Sequence, residues 1–296
     1  MLPARSLLDR AHAGGMNTDT AIITGGAGGM GLATARKLAA DHIFVLTDVN
    51  GDKLSAAAET LAADGIEART VVADITDRDN VRELFTEAER FGHVRAVVHS
   101  AGVSPQMGDA EFIVRVNAVG TVNIAREYLR IAEEGDALVN VASIAGHMTP
   151  QALQPTRTYA KALTDVDAFA AKLVKGTRIA PEASRPGMAY SSSKGFVIWY
   201  SAKIAAEFGA KGARVLSVSP GSFDTDMGQL EEDHGFGKMV EYAALKRFGT
   251  PDEIAAVLAF AVGRDAGHLT GTDILVDGAN KAGLGVKVMI DMARSQ

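Results

Sequence analysis

The chain contains a tyrosine followed four places later by a lysine twice: Tyr190-Ser-Ser-Ser-Lys194 and Tyr242-Ala-Ala-Leu-Lys246. On a helix that spacing makes a phenol and an ammonium neighbours on one face. Such a pair can pass a proton. Free tyrosine has a pKa of about 10, so it is protonated at neutral pH. Lowering it to about 7 takes roughly 4 kcal/mol, at about 1.36 kcal/mol per unit. One unit charge at about 4 Å, in an effective dielectric near 20, supplies energy of that order. An arginine would bring the charge without the same proton traffic. The chemistry served is proton exchange with an alcohol or a forming alkoxide. A serine that hydrogen-bonds the reacting oxygen would complement the pair. Ser143, in Val141-Ala-Ser-Ile-Ala-Gly146, is a candidate for that role.

The elements that carry these residues decide between the two pairs. Short apolar runs alternate with alanine-rich helical stretches. Strands are expected at 21–24, 43–47, 69–73, 94–98, 137–141, 214–218 and 273–276. Helices are expected from the first strand's loop through Lys37, near 52–63 and 77–91, and over most of 110–133. Runs that are apolar throughout suit strands buried on both faces. The alternation predicts a parallel α/β sheet, covered on both sides by right-handed crossovers. In such sheets ligands sit at the carboxyl ends of strands. Ser143 lies just past one such end, and Tyr190 opens the long helix leading to the sixth strand. Tyr242 follows Pro220-Gly221, in a stretch with neither a serine partner nor a strand end. It reads as a helical lid residue packing inward, so Tyr190 and Lys194 are the expected dyad.

Between the first strand and first helix runs Thr24-Gly-Gly-Ala-Gly-Gly-Met-Gly31. Gly26, Gly28 and Gly31 fit G-x-G-x-x-G; Gly25, Gly29 and Gly31 fit T-G-x-x-x-G-x-G. In either register, glycines let backbone N–H groups approach a pyrophosphate at a helix N-terminus. A bare glycine loop is weak evidence, but this one follows a strand and opens a helix. Asp48 ends the second strand, where an acid would hydrogen-bond the adenosine ribose. It would also repel a 2′-phosphate, and the glycine loop holds no arginine or lysine. NAD(H) is therefore expected over NADP(H). A strand-end turn is the plainer role for Asp48. Asp74, after the third strand, suits either the adenine edge or a cap for the next helix.

The 296 residues are 47% hydrophobic, enough for one large domain. A net charge of −6 offers no basic stripe for nucleic acid. With no cysteine, disulfides and thiolate chemistry are excluded. His234, lone beside the run Glu231-Glu-Asp233, does not suggest a metal site, and none is expected. No apolar run approaches the roughly 18 residues of a membrane span, and residues 1–15 lack a signal peptide's apolar stretch. A soluble cytoplasmic protein is the expectation. Residues 1–16 read as a loose extension, with Met16 as an alternative start, and 285–296 as a tail.

Taken together and in order, these motifs resemble the short-chain dehydrogenase/reductase family. The match covers about 17–280 and rests on the Thr24–Gly31 loop, Asp48, Asp74, Ser100-Ala-Gly102, Asn117, Ser143, Tyr190-x-x-x-Lys194, and Pro220-Gly221 with Thr225. The resemblance implies a single Rossmann-type, doubly wound domain with strand order 3-2-1-4-5-6-7. It implies an NAD-dependent oxidoreductase working on a secondary alcohol or ketone. Tyr190 and Lys194 would then be catalytic, with Ser143 on the substrate oxygen and Asn117 holding a water that links Lys194 to solvent. Unaided, Asn117 reads equally well as a helix kink or a core hydrogen bond. The cofactor would contact Gly25, Gly28, Gly29, Met30, Gly31, Asp48, Asp74, Ile75, Ala101, Gly102, Tyr190, Lys194, Pro220, Gly221, Phe223 and Thr225. Thr225 would reach the carboxamide, and Phe223 stands where smaller aliphatic residues are common. Family members are usually dimers or tetramers. A homo-oligomer through 118–130 and 192–209 is therefore expected, unless covered.

Two departures stand out. Where many members have Asn-Asn-Ala-Gly, this chain has His99-Ser-Ala-Gly102; the Ala-Gly survives, and the change carries no expected consequence. Residues 147–187 are longer than a plain crossover. They read as an insertion on the sheet's periphery, with a helix near 164–174, similar to the 3α-hydroxysteroid dehydrogenase/carbonyl reductase branch. Surface decoration, a cleft wall and a cover over an oligomer surface all remain open for it. Residues 222–248 read as a substrate lid, with glycines at 228, 235 and 237 for movement. Phe236, Met239 and the insertion's apolar residues would favour a bulky apolar substrate such as a steroid. Non-redox chemistry on the same pair, or an idle NAD-binding regulator, are the competing functions.

Overall fold

Strands β1 (Asp19–Thr24), β2 (His42–Asp48), β3 (Ala68–Val72), β4 (Val94–His99), β5 (Ala137–Val141), β6 (Arg214–Pro220) and β7 (Asp273–Val276) pair in parallel. Their order is β3-β2-β1-β4-β5-β6-β7, a Rossmann-type arrangement, as the motifs implied. The computed structural model describes residues 19–233 and 240–283. The expected extension (1–16), the tail (285–296), His234, Phe236 and Met239 lie outside the described residues, as do the side chains of 231–233.

The apolar strands divide their side chains between two cores, one per face. On one face Ile22, Val97, Leu138 and Val215 pack with Phe85, Tyr128, Phe196 and Phe208. On the other Ile23, Val98, Val139 and Leu216 pack with Leu38, Leu61, Ile254 and Leu258. Helices α1 (Gly29–Leu38), α2 (Gly51–Ala63) and the later Pro251–Val262 serve the second core. Helix α3 (Arg78–Glu89) serves the first. No described helix is long and apolar enough to cross a membrane.

The helix expected over most of 110–133 is broken into three. Helix α4 (Ala110–Val114) passes through a π-turn at Arg115–Val119 into α5 (Gly120–Ile131). Asn117 sits in the π-turn. Its Oδ1 accepts from Val103 N and its Nδ2 donates to Val103 O, each at 2.9 Å. The amide thus pairs with the main chain after β4 much as a strand would. A π-turn inside an α-helix commonly marks a functional position.

The segment 147–187 contains α6 (Thr156–Tyr159) and α7 (Val166–Thr177) and leads into α8 (Arg185–Gly209). It does not hang at the sheet's edge. Tyr159, Phe169 and Leu173 are buried in the first core. Phe169 packs against Phe196 at a tilt of 35° with ring centroids 4.3 Å apart, and Tyr159 meets Phe196 edge-on at 5.5 Å. Aromatic pairing adds about 0.5–1.5 kcal/mol beyond area burial. The difference from expectation is physical: the segment's apolar residues are matched to aromatic residues on α8.

After β6 come α9 (Asp226–Asp233), α10 (Pro251–Val262) and α11 (Asn280–Gly283). Thr250 and Glu253 form a capping box at the start of α10, where Pro251 fits the first turn. Arg247 pairs with Glu253 through two bonds of 2.7 and 2.8 Å. That pairing, with the Thr250 N–H, holds the Glu253 carboxyl down at about 2. Tyr242 is not a buried lid residue on an α-helix: it sits in a short 3-10 segment and is 39% exposed.

Candidate functional site

The glycine loop is tight for steric reasons. Gly25 has φ +64°, and a Cβ there would come within 2.9 Å of the Ala101 backbone. A Cβ on Gly31 would come within 2.8 Å of Gly25 O. Loop and helix therefore close on each other only without side chains. Gly28 is the N-cap of α1, so the N–H groups of Gly29, Met30 and Gly31 have no partner within the helix. These donors, with the helix dipole, suit a phosphate. Met30 packs its side chain partly on the second core.

Asp48 ends β2, and its Oδ1 accepts the local Asn50 N–H at 3.1 Å. Asp74 is not the cap of α3. Asp77 fills that role, accepting from Asp79 N and Asn80 N. Asp74 instead turns back on Thr76 N at 2.8 Å and stays exposed. Ile75 is buried, its side chain so close to Gly120 that a Cβ there would clash at 2.6 Å. Only its main chain is left for a ligand. The side chain of Phe223 is likewise taken up by packing. Its ring is buried against Gly249, to which it is also bridged, because Gly249 leaves room for it. Gly221 N donates to Val276 O, and a Cβ on Gly221 would meet Asp277 at 2.8 Å. This Pro220-Gly221 turn delivers Thr225, whose Cγ2 would lie 3.8 Å from a Cβ on Gly29. Thr225 therefore stands over the N-terminus of α1.

The catalytic candidates converge beyond the ends of β4 and β5. Ser143, largely buried, follows β5 and caps the 3-10 turn Ile144–His147, its Oγ accepting from Ala145 N at 3.1 Å. Tyr190 and Lys194 lie one turn apart on α8. Lys194 Nζ is 6.0 Å from the Tyr190 ring centroid and donates to Val141 O at 3.0 Å. A Cβ on Gly102 would lie 3.1 Å from Asn117 Oδ1 and 3.3 Å from Lys194 Nζ. Gly102 thus leaves the approach to Lys194 open. The Ser143 turn presses directly on α8: a Cβ on Gly146 would be 2.8 Å from Lys194 C and Gly195 N. Asn117, Ser143, Tyr190 and Lys194 are brought together; Tyr242 and Lys246 are not part of this cluster.

The departure at His99 was expected to carry no consequence, yet its ring is wired into the site. Nδ1 lies 2.7 Å from Thr24 Oγ1, and Nε2 lies 3.1 Å from Thr121 Oγ1. Thr121 donates its own proton to Asn117 O at 2.8 Å. It must therefore accept from His99, which fixes the proton on Nε2 and leaves Nδ1 to accept from Thr24. Burial, helped by the Lys194 charge, pushes the His99 pKa down to about 3. A neutral imidazole thus links the strand end before the glycine loop to the π-turn of Asn117. The sequence signal was the departure itself, a histidine closing a valine-rich strand where many family members have asparagine.

A separate cavity of about 130 Å³ lies between Phe223, Leu245, Val276 and Gly278. Ser143, Tyr190 and Lys194 do not line it.

A parallel sheet with a glycine-cradled helix N-terminus after β1, an acid ending β2 and a tyrosine/lysine pair whose lysine bonds the end of β5 defines the class: a dinucleotide-dependent oxidoreductase built on a Rossmann-type fold. Comparison with known proteins gives the family. The family described as short chain dehydrogenase matches residues 19–179, and one described as Enoyl-(Acyl carrier protein) reductase matches 160–279. The short-chain dehydrogenase/reductase bsc3 of Alternaria brassicicola is 31% identical over 268 residues, covering 89% of this chain and 96% of that protein. The 3beta-hydroxysteroid dehydrogenase 2 of Eggerthella lenta is 27% identical over 277 residues, covering 88% and 93%. A solved short chain dehydrogenase from Burkholderia cenocepacia, in complex with NADP, superposes with TM-score 0.70 at 25% identity, covering 90% and 98%. The chain belongs to the short-chain dehydrogenase/reductase family of oxidoreductases, which bind a nicotinamide cofactor and act on small molecules.

Proposed function

We propose that this protein oxidises a secondary alcohol, or reduces the matching ketone, using NAD(H), with Tyr190 as the acid/base. The observation that carries this reading is Lys194: it faces the Tyr190 ring, the turn that Ser143 caps presses on its backbone, and the missing side chain of Gly102 keeps the approach to its Nζ open. The cradle fits the cofactor: Gly25 and Gly31 admit no Cβ, and the N–H groups opening α1 await an anion. Gly28, Gly29, Met30 and Gly31 would hold the pyrophosphate, Asp48 the adenosine ribose, and Asp74 with the main chain of Ile75 the adenine edge. Ala101, Gly102, Pro220, Gly221, the main chain of Phe223, and Thr225 would flank the nicotinamide half. Bound there, the nicotinamide supplies a hydride donor or acceptor.

The chain's own residues do the rest. Ser143 orients the substrate oxygen and offsets its developing charge. The Tyr190 phenol gives its proton to a forming alkoxide, or its phenolate takes one from an alcohol. Lys194 favours the phenolate electrostatically and would bind the nicotinamide ribose hydroxyls. Asn117 would hold a water that links Lys194 to solvent.

Asp48 supports NAD(H) over NADP(H), since a carboxylate at that strand end repels a 2′-phosphate. The Eggerthella relative supports a bulky apolar substrate such as a hydroxysteroid. Residues 222–248 would close over it, and the protein would act as a homo-oligomer. Fluorescence titration with NADH and NADPH tests the cofactor reading. Preferential NADH binding is expected, and Asp48→Ala should erase most of the preference. Tighter binding of NADPH by the wild type contradicts it.

A further inference from the structure

We propose that Gln154 and Tyr159, both from the 147–187 segment, are positioning residues that brace the Ser143 turn against the Tyr190/Lys194 turn of α8. The proposal rests on the dyad reading above and assigns the segment a role in that same site.

The two side chains grip opposite halves of the catalytic group. Gln154 Nε2 donates to Gly146 O at 3.1 Å, inside the 3-10 turn that Ser143 caps. Tyr159 Oη donates to Ser192 O at 2.9 Å, midway between Tyr190 and Lys194. Both converge on Gly195. A Cβ there would lie 3.1 Å from Tyr159 Oη and 3.4 Å from the Gln154 amide. Gly195 is also where the Ser143 turn touches α8, since a Cβ on Gly146 would lie 2.8 Å from Gly195 N. The turn and the helix thus meet backbone to backbone at two glycines, and one side chain from the segment bonds each partner at the seam.

Those hydrogen bonds are more than packing requires. Tyr159 is already buried against Phe196 and Trp199, at centroid distances of 5.5 and 5.7 Å. A phenylalanine would fill the same space. The hydroxyl's particular acceptor is a carbonyl of the one helical turn that spaces Tyr190 from Lys194. Gln154 is only half-buried and could have faced water, yet its amide reaches into the Ser143 turn. Catalysis by oriented groups is sensitive to such spacing: a shift of about 1 Å can cost about 10²-fold.

The test uses the full-length protein and reads Tyr190 directly, through the ultraviolet absorbance of tyrosinate, with Tyr190→Phe as the reference. Burial pushes the phenols of Tyr128, Tyr159 and Tyr200 up, clear of the neutral range. Lys194 is the charged group facing the Tyr190 ring, and His99, which that charge reaches, is held neutral by burial. Tyr159→Phe and Gln154→Ala should each move the Tyr190 titration upward, because a loosened turn holds Lys194 less well against the phenol. Each should also lower kcat by about tenfold on a panel of ketones, leaving NADH affinity unchanged. The double variant should lose less than the product of the two single losses, as residues acting on one spacing do. Leu173→Ala, which removes buried packing from α7 without touching the brace, should lower the melting temperature and leave the titration in place. Gln154→Ala alters a half-buried side chain and keeps the test available if Tyr159→Phe folds poorly. Titrations of Gln154→Ala and Tyr159→Phe that superimpose on wild type overturn the proposal. A wild-type titration indistinguishable from that of Tyr190→Phe contradicts the dyad itself, and the brace falls with it.

Discussion

Two tyrosine/lysine pairs with identical spacing stand in very different places. Tyr190 and Lys194 lie on the 25-residue helix α8, with Lys194 buried and bonded to Val141 O. Tyr242 and Lys246 are both exposed, on a short 3-10 segment followed by irregular chain. Four residues make neighbours only where a helix holds them so. The first pair also has a serine-capped turn pressed against it, a glycine opening Lys194, and an asparagine in a π-turn behind it. The second has none of these among the described residues. Spacing nominates a pair; the surrounding backbone decides whether it can do chemistry.

The comparison can be broken at several points. Lys194→Ala should cost the most, about 10²–10⁴ in turnover, the range of general acid–base catalysis. Lys246→Ala should leave turnover where it was, and comparable losses in both would remove the distinction. Phe169→Ala comes next. It removes the ring packed against Phe196 in α8, and should cost about 3–5 kcal/mol in denaturant unfolding. A cost under about 1 kcal/mol would mean that the 147–187 segment is not part of the core that holds α8.

A further expected effect is on pH dependence. His99 stays neutral in the fold down to a pKa of about 3, while the unfolded chain protonates it near 6.5. Between those values the unfolded state holds the extra proton, so stability falls as the pH drops from about 6.5 toward 3. His99→Asn should flatten that part of the profile. Equal slopes for wild type and variant, from urea melts across that window, would show that His99 is not the buried neutral link between Thr24 and Asn117.

What was legible in the sequence follows the same divide. The glycine loop, Asp48 and the apolar strands were legible because each is a local pattern: close backbone approach, a strand end, burial on two faces. The strand order rested on the motif resemblance, and the sheet has that order. A kink or a core hydrogen bond at Asn117 was legible, but not that it makes both, because the π-turn depends on Asn117 finding the Val103 main chain fourteen residues away. The role of His99 depends on Thr24, 75 residues earlier. Residues 147–187 read as peripheral because a segment's own periodicity says that it has an apolar face, not which face will receive it. Their partners are Phe196 and Trp199, side chains whose direction only the folded α8 sets.

The most direct test of the account compares Tyr190→Phe with Tyr242→Phe. Both would be assayed with NAD(H) on the same secondary alcohols and ketones, alongside an NADH binding titration. The account predicts that Tyr190→Phe loses about 10²–10⁴ in turnover while binding NADH normally, and that Tyr242→Phe retains nearly all of it. Turnover that survives in Tyr190→Phe, or is lost in Tyr242→Phe alone, would contradict it.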